Sequence, residues 1–192
     1  MAEARRTSEI RMLDVAKDFK GMAVLASDTG AKLGEARDVI IHPTEGRLLG
    51  VVVRAAEGGE RSLSASSFII GQDAVMVTTT AFRRADERSN ELAGGVRAIE
   101  DLIGSKVVTE DGTLLGRVSE AHIGVDQPSV AGVAGVARVV YRVAESTLQK
   151  FFGGGFFLPG AAARSYSPEE KRMIVPADTG NRYAASSLAE AI

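Results

Sequence analysis

Cysteine and tryptophan are both absent from this 192-residue chain, and it holds only two histidines, five prolines, three tyrosines and seven phenylalanines. Without cysteine there are no disulfides, no thiolate catalysis, no iron–sulfur clusters and no thiolate zinc sites. Neither sign of charge is in excess. Lys and Arg number 23 against 25 Asp and Glu, for a net charge of −2 and a pI near 5.8, so nothing general draws the chain to nucleic acid or an anionic membrane. Long hydrophobic runs are also missing. The longest charge-free stretch, 151–163, holds four glycines and a proline, and it falls short of the roughly 20 apolar residues of a spanning helix. Arg5 and Arg6 have no apolar stretch behind them, so residues 1–14 do not read as a secretory signal, and the expectation is a soluble, cytoplasmic protein. An apolar share of 45% and a charged share of 25% match ordinary globular domains and exclude disorder, collagen and coiled coil.

What the sequence does have is an internal repeat. Residues 20–41 read KGMAVLASDTGAKLGEARDVII, and residues 103–123 read IGSKVVTEDGTLLGRVSEAHI. Aligning Gly21 with Gly104 places Val24 on Val107, Leu25 on Val108 and Asp28 on Asp111. One deletion then brings Leu33-Gly34 onto Leu115-Gly116, and Val39 and Ile41 onto Ala121 and Ile123. An apolar strand follows in each copy, at 48–53 and 137–143, with about six extra residues in the second copy within 124–135. A period of about 83 residues is too long for a solenoid and fits two copies of one small domain. The duplication predicts two sheets of like topology, one per copy.

Asp28-Thr29-Gly30 and Asp111-Gly112 lie between apolar segments and read as hairpin turns. In the strands that follow, Val39, Ile41, Ala121, Ile123 and Val125 alternate toward a core, which sets Asp38 and Glu120 facing outward. Short strands between turns of this kind point to an all-β fold, a small barrel or sandwich. A unit of roughly 80 residues buries only about 60–65% of its unfolded surface, so two copies gain stability by packing on each other or in a dimer.

The shared pattern resembles the PRC-barrel family. Gly21, Val24, Asp28, Gly30, Leu33, Gly34, Val39 and Ile41 carry it in the first copy; Gly104, Val107, Asp111, Gly112, Leu115, Gly116 and Ile123 carry it in the second, where Leu158-Pro159 looks like that family's strand leading into a short helical turn. The resemblance implies two tandem barrels of about six strands with short helical turns. It divides the chain into a flexible N-terminus at 1–14, free of the barrels, a first barrel at 15–82, a linker at 83–100, a second barrel at 101–183 and a C-terminal tail at 184–192. The family includes the cytoplasmic domain of the photosynthetic reaction-centre H subunit and a domain of the ribosome-maturation factor RimM, and in both the barrel is a docking surface. The glycines and core positions that carry the resemblance specify shape and no chemistry.

No residue pattern here selects a catalytic, metal or cofactor site. His42 and His122 are not equivalent in the repeat, since His122 falls on Ile40, and His122 reads as an outward-facing strand residue. There is no Gly-x-Ser-x-Gly elbow. Ser62, Ser64, Ser66 and Ser67 suit a polar strand end and a helix cap. Gly153-Gly154-Gly155 precedes Phe156-Phe157 and fails both the P-loop and the dinucleotide templates. Basic doublets at Arg5-Arg6, Arg83-Arg84 and Lys171-Arg172 have acids nearby and no interleaved aromatics. The most suggestive feature is aromatic density: Phe151, Phe152, Phe156 and Phe157 lie within seven residues, some expected inward and some outward. The apolar insertion 130–136, with Val130 and Val133, is likewise absent from the first copy. These six residues are the candidate partner-binding positions. The expectation is a non-enzymatic docking or scaffolding module that binds a protein partner or itself, as a homodimer, through loops of the second barrel. The alternative is a ribosome- or RNA-processing-associated factor.

Overall fold

The computed structural model describes residues 10–126, 138–144, 155–183, and 187, 188, 190 and 191. The chain opens with β1 (Ile10–Asp14) and a single wide π-turn (Val15–Phe19), closed by an i→i+5 hydrogen bond from Lys20 N to the Val15 carbonyl. The first copy follows as β2 (Ala23–Ala26), β3 (Lys32–His42), β4 (Arg47–Ala55), β5 (Glu60–Ser64), a 3-10 turn (Ala65–Ser67), β6 (Phe68–Ile70) and β7 (Ala74–Val77). Helix α1 (Thr79–Arg83) and a 3-10 helix (Ala85–Leu92) lead to β8 (Val96–Arg97) and a second π-turn (Ala98–Leu102). The second copy then runs through β9 (Lys106–Thr109), β10 (Leu114–Asp126), β11 (Arg138–Ala144), β12 (Phe156–Pro159), a 3-10 turn (Gly160–Ala162), β13 (Ser165–Ser167) and β14 (Arg172–Val175), and α2 (Thr179–Tyr183) comes after it.

The two copies have the same ladder. In the first the strands lie in the order β6-β7-β2-β3-β4-β5, and in the second β13-β14-β9-β10-β11-β12. The β2/β7 and β9/β14 pairs are parallel, and the other neighbours are antiparallel. The expected turns sit between β2 and β3 and between β9 and β10. Even the bulges coincide. β3 slips register between Ala36 and Asp38, and β10 slips between Val118 and Glu120, so Arg37 and Ser119 are the extra residues. The protein is all-β in class, with two barrels that the ladders leave open between β5 and β6 and between β12 and β13.

The expectation of one separate sheet per copy is corrected. The short strand in front of each π-turn leaves its own copy and pairs with the long strand of the other. β1 lies antiparallel on β10, with Leu13 opposite Ile123 and Asp14 opposite His122, and β8 lies on β3, with Val96 opposite Ile41 and Arg97 opposite Ile40. Together with a single bridge between Arg47 and Arg138, this reciprocal exchange joins the fourteen strands of the described residues into one sheet. A barrel that is marginal alone gains by covering its longest strand with the neighbour's chain. Packing follows the same logic. One continuous core takes Phe19, Ile41, Leu63 and Val51 from the first copy and Leu102, Ile123, Tyr141, Leu158 and Met173 from the second.

One further contact joins the copies, and the segment between them packs on the first. The 43–46 tip of the first copy meets the second, where the Val139 amide donates to the Gly46 carbonyl at 3.0 Å and the buried Tyr141 hydroxyl donates to the Pro43 carbonyl at 3.3 Å. The 85–92 helix covers the outer face of β3 and β4, where Leu92 packs on Ile40, Leu49 and Val52, and Glu91 accepts hydrogen bonds from the Ser64 and Ser66 hydroxyls. The stretch 83–100 therefore holds a helix, an exchanged strand and most of a π-turn. Among the described residues no helix is long and apolar enough to cross a membrane.

Candidate functional site

Chemistry-bearing side chains gather at the seam where β1 lies on β10. Glu120 and His122, two apart on β10, share its outer face, and the pairing of Asp14 with His122 adds a second carboxylate. The ligand atoms of Asp14, Glu120 and His122 lie within 4.8 Å of one another. Asp14 also caps the first π-turn, where its Oδ1 accepts the Ala16 and Lys17 amides at 2.9 and 3.1 Å. Its Oδ2 is buried and receives no hydrogen bond among the described residues; what lies against it is the Lys17 ammonium, at 3.0 Å in an ion pair. Lys17 Nζ also sits 2.8 Å from Glu120 Oε1, and Arg142 Nη1 and His122 Nε2 each lie 3.3 Å from Glu120 Oε2. Burial pushes the Glu120 carboxyl up, but its hydrogen bonds to Lys17 and Arg142 outweigh this and hold it below the usual range. The carboxylates of Glu120 and then Asp14, paired with the ammonium, raise the Lys17 pKa in turn.

Phe157 borders this cluster. Its ring meets the His122 imidazole edge-on at 5.9 Å, and the Arg142 guanidinium lies over it at 5.8 Å. Phe156 points the other way, 6% exposed in the core, so the two rings alternate as a strand requires. Phe151, Phe152, Val130 and Val133 lie outside the described residues. The segments that carry them differ in length from their counterparts. The β3–β4 and β4–β5 connections take four residues each, at 43–46 and 56–59, whereas the β10–β11 and β11–β12 connections take eleven each, at 127–137 and 145–155. Their anchors sit at opposite ends of β11, about 20 Å apart for a seven-residue strand.

The equivalent seam, where β8 lies on β3, has different chemistry. Arg97 stands where the other seam has Asp14, Asp38 where it has Glu120, Ile40 where it has His122, and Glu100 where it has Lys17. Asp38 crosses between the copies and caps the second π-turn. It accepts the Ile99 amide at 3.0 and 3.1 Å and the Glu100 amide at 3.2 Å, besides that of Val39 at 2.8 Å. Only 4% of Asp38 is exposed. Desolvation raises its pKa despite these donors and the nearby Arg97 charge. Arg97 itself reaches away to Glu60 and Glu100, at 2.8 and 2.6 Å.

The duplicated ladder, with its parallel closing pair and matched bulges, has a match among known families. The model of the PRC-barrel domain matches residues 15–84 and again 94–182. The chain belongs to the PRC-barrel family. No curated protein matches it. A crystal structure of the 16S ribosomal RNA processing protein RimM of Pseudomonas aeruginosa aligns with 86% of this chain and 97% of its own length, at 13% identity and a TM-score of 0.21.

Within this tandem PRC-barrel chain, the outward direction of Asp38, Glu120 and His122 is as expected, but their exposure is corrected. Asp38 and His122 are buried and Glu120 is half-buried, because the outer face of each long strand is covered by the other barrel's exchanged strand and π-turn. Asp14, placed by sequence in a free N-terminal segment, is 6% exposed for the same reason. The repeat alignment marked the divergence of His122 from Ile40; it held no signal that would bring Asp14, 108 positions earlier, beside it. His42 is a turn residue. Its Nδ1 accepts the Glu45 amide at 3.3 Å and lies 3.4 Å from Thr44 Oγ1.

Proposed function

We propose that this tandem PRC-barrel protein is a non-enzymatic docking module that binds a protein partner, or a second copy of itself, through the extended hairpin loops of its second barrel. The observation that carries this reading is the asymmetry of the loops. Both barrels keep the same six-strand ladder, yet each hairpin flanking β11 is seven residues longer than its counterpart in the first barrel. Residues added between two strands leave the ladder itself unchanged, and the segments that connect strands of a rigid scaffold are where binding residues concentrate. The added residues include Phe151, Phe152, Val130 and Val133, in a chain with few aromatics elsewhere. Apolar and aromatic side chains of this kind anchor protein interfaces. With the loop anchors about 20 Å apart, one standard interface of about 800 Å² per partner can span both.

The test is the mass of the purified protein across a concentration series, by sedimentation or light scattering, together with affinity capture from the native cell extract. The double variant Phe151→Ser/Phe152→Ser should keep the wild-type circular dichroism and melting temperature while losing association. Loss of folding in that variant would assign the rings to the core and remove the proposal. Salt-sensitive co-sedimentation with ribosomal particles, unaffected by the double variant, would favour the ribosome- or RNA-associated alternative.

A further inference from the structure

We propose that Asp14, Glu120 and His122 form a binding site for a divalent transition-metal ion of the zinc, cobalt or nickel type, with the Lys17 ammonium as its displaceable occupant. The proposal stands on two independent observations. First, the exchange of β1 onto β10 places three ligand atoms of the right chemistry within 4.8 Å of one another. A tetrahedral ion with bonds of about 2.1 Å spaces its ligand atoms about 3.4 Å apart, so the cluster closes with side-chain movements of about 1 Å. Second, Asp14 is about nine-tenths buried, and among the described residues what meets its Oδ2 is a cation and no neutral donor. A buried carboxylate oxygen in that state is costly unless a cation faces it. Here a cation does: the Lys17 ammonium lies 3.0 Å from Asp14 Oδ2 and 2.8 Å from Glu120 Oε1.

Lys17 is the removable member of the cluster. Its side chain is 66% exposed, against 7% for Asp14, 15% for Glu120 and 10% for His122, so it can swing into solvent while the other three stay fixed by the strand pair. The ligands are already oriented. The backbone amides of Ala16 and Lys17 hold Asp14 Oδ1, Arg142 holds Glu120 Oε2, and Phe157 packs against the imidazole. Such outer contacts fix ligand geometry in metal sites. One imidazole with two carboxylates selects borderline ions over magnesium and calcium, and three protein ligands leave a coordination position open. The other seam is an internal control. It has the same backbone, but Arg97, Ile40 and Glu100 replace Asp14, His122 and Lys17, so it offers no imidazole and sets a guanidinium where the buried carboxylate would be.

Chelator-treated full-length protein would be titrated with zinc and with cobalt by calorimetry, and with magnesium for comparison. The expected result is saturable one-to-one zinc and cobalt binding and no magnesium binding. His122→Asn and Asp14→Asn should each weaken zinc binding at least about tenfold, the loss seen when a mere supporting contact is removed. Asp14→Asn keeps the capping oxygen and so separates loss of ligand from loss of fold. Lys17→Met should tighten zinc roughly two- to fivefold, by removing the exposed ion pairs that compete with the metal. His42→Gln should change nothing. The proposal is overturned if no saturable zinc binding appears below about 100 μM, if binding survives in both ligand variants, or if Lys17→Met weakens it.

Discussion

Asp38 is the residue on which the join between the barrels can be tested most directly. Replacing it with alanine removes the acceptor for the amides of Val39, Ile99 and Glu100, the last two belonging to the other barrel's π-turn. Losing a capping side chain costs about 0.5–2 kcal/mol, and each buried donor left unmet costs about 1–3 kcal/mol. Removing a buried charge gives some of this back, since desolvation already holds the Asp38 pKa above its ordinary value of 3.8. The net expectation for Asp38→Ala is a loss of about 2–4 kcal/mol, or roughly 5–15 °C in melting temperature for a chain of this size. Asp38→Asn keeps the acceptor oxygen for Val39 and Ile99 but turns an NH2 toward the Glu100 amide, so it should cost about 1–2 kcal/mol, less than Asp38→Ala. Urea unfolding at neutral pH should show a lower midpoint with an unchanged slope, and native-state hydrogen exchange should quicken first at Ile99 and Glu100. The pH dependence carries a definite sign. A carboxyl whose folded pKa is raised holds its proton in the native state after the unfolded chain has released it. Its penalty is absent below the unfolded value, grows as pH rises to the folded value, and is flat above that. Wild type should therefore lose stability relative to Asp38→Asn as pH rises from about 3.8 through that window. An Asp38→Ala variant within about 0.5 kcal/mol of wild type, or a wild type that gains on Asp38→Asn over that range, would refute the reasoning.

Other consequences are as direct. Gly46→Ala should cost about 2–4 kcal/mol, because a Cβ there lies 2.5 Å from the Ala161 nitrogen and 3.0 Å from the Gly160 Cα at a φ of +62°, whereas Gly21→Ala, at a φ of +91° with nothing within 4 Å, should show only the smaller backbone strain of about 1–2 kcal/mol; thermal melts of the pair separate clash from strain. Tyr141→Phe should lose about 1 kcal/mol through its hydrogen bond to the Pro43 carbonyl, read by urea midpoint. Leu13→Ala, at a position 2% exposed, should cost about 2–5 kcal/mol, and exchange protection should fall in β10 of the second barrel before it falls in β2. Because one core crosses both barrels, the wild type should unfold in a single transition with equal calorimetric and van't Hoff enthalpies; two resolved transitions would contradict the shared core.

The ladder of each barrel was legible because its determinants are local and occur twice. The Asp-Thr-Gly and Asp-Gly turns, the Leu-Gly pairs and the alternation through Val39 and Ile41 reappear at matched positions, and matched bulges follow from matched sequence. The exchange was not legible. β1 is only IRMLD and β8 only VR, too short for an alternation pattern to show, and nothing local distinguishes pairing with one's own long strand from pairing with the neighbour's. The buried seam acids were missed for the same reason. Alternation correctly turned Asp38 and Glu120 away from their own barrel; that the other barrel covers that face is a tertiary fact.

Once two barrels cap each other, their seams need not remain alike. In one, Asp38 reaches across to cap the partner's π-turn, and Arg97 is free to turn toward Glu60 and Glu100. In the other, Asp14 caps its own π-turn locally, so Glu120, one methylene longer than Asp38, is released from the amides and goes to Lys17, Arg142 and His122. The first seam spends its buried carboxylate on holding the barrels together. The second has that need met by Asp14 Oδ1, and this leaves Asp14 Oδ2, Glu120 and His122 to face a cation. A single barrel pairing with an identical copy would carry the same residues at both seams. Duplication within one chain lets one seam keep the structural task while the other takes on binding chemistry at no cost to the shared core.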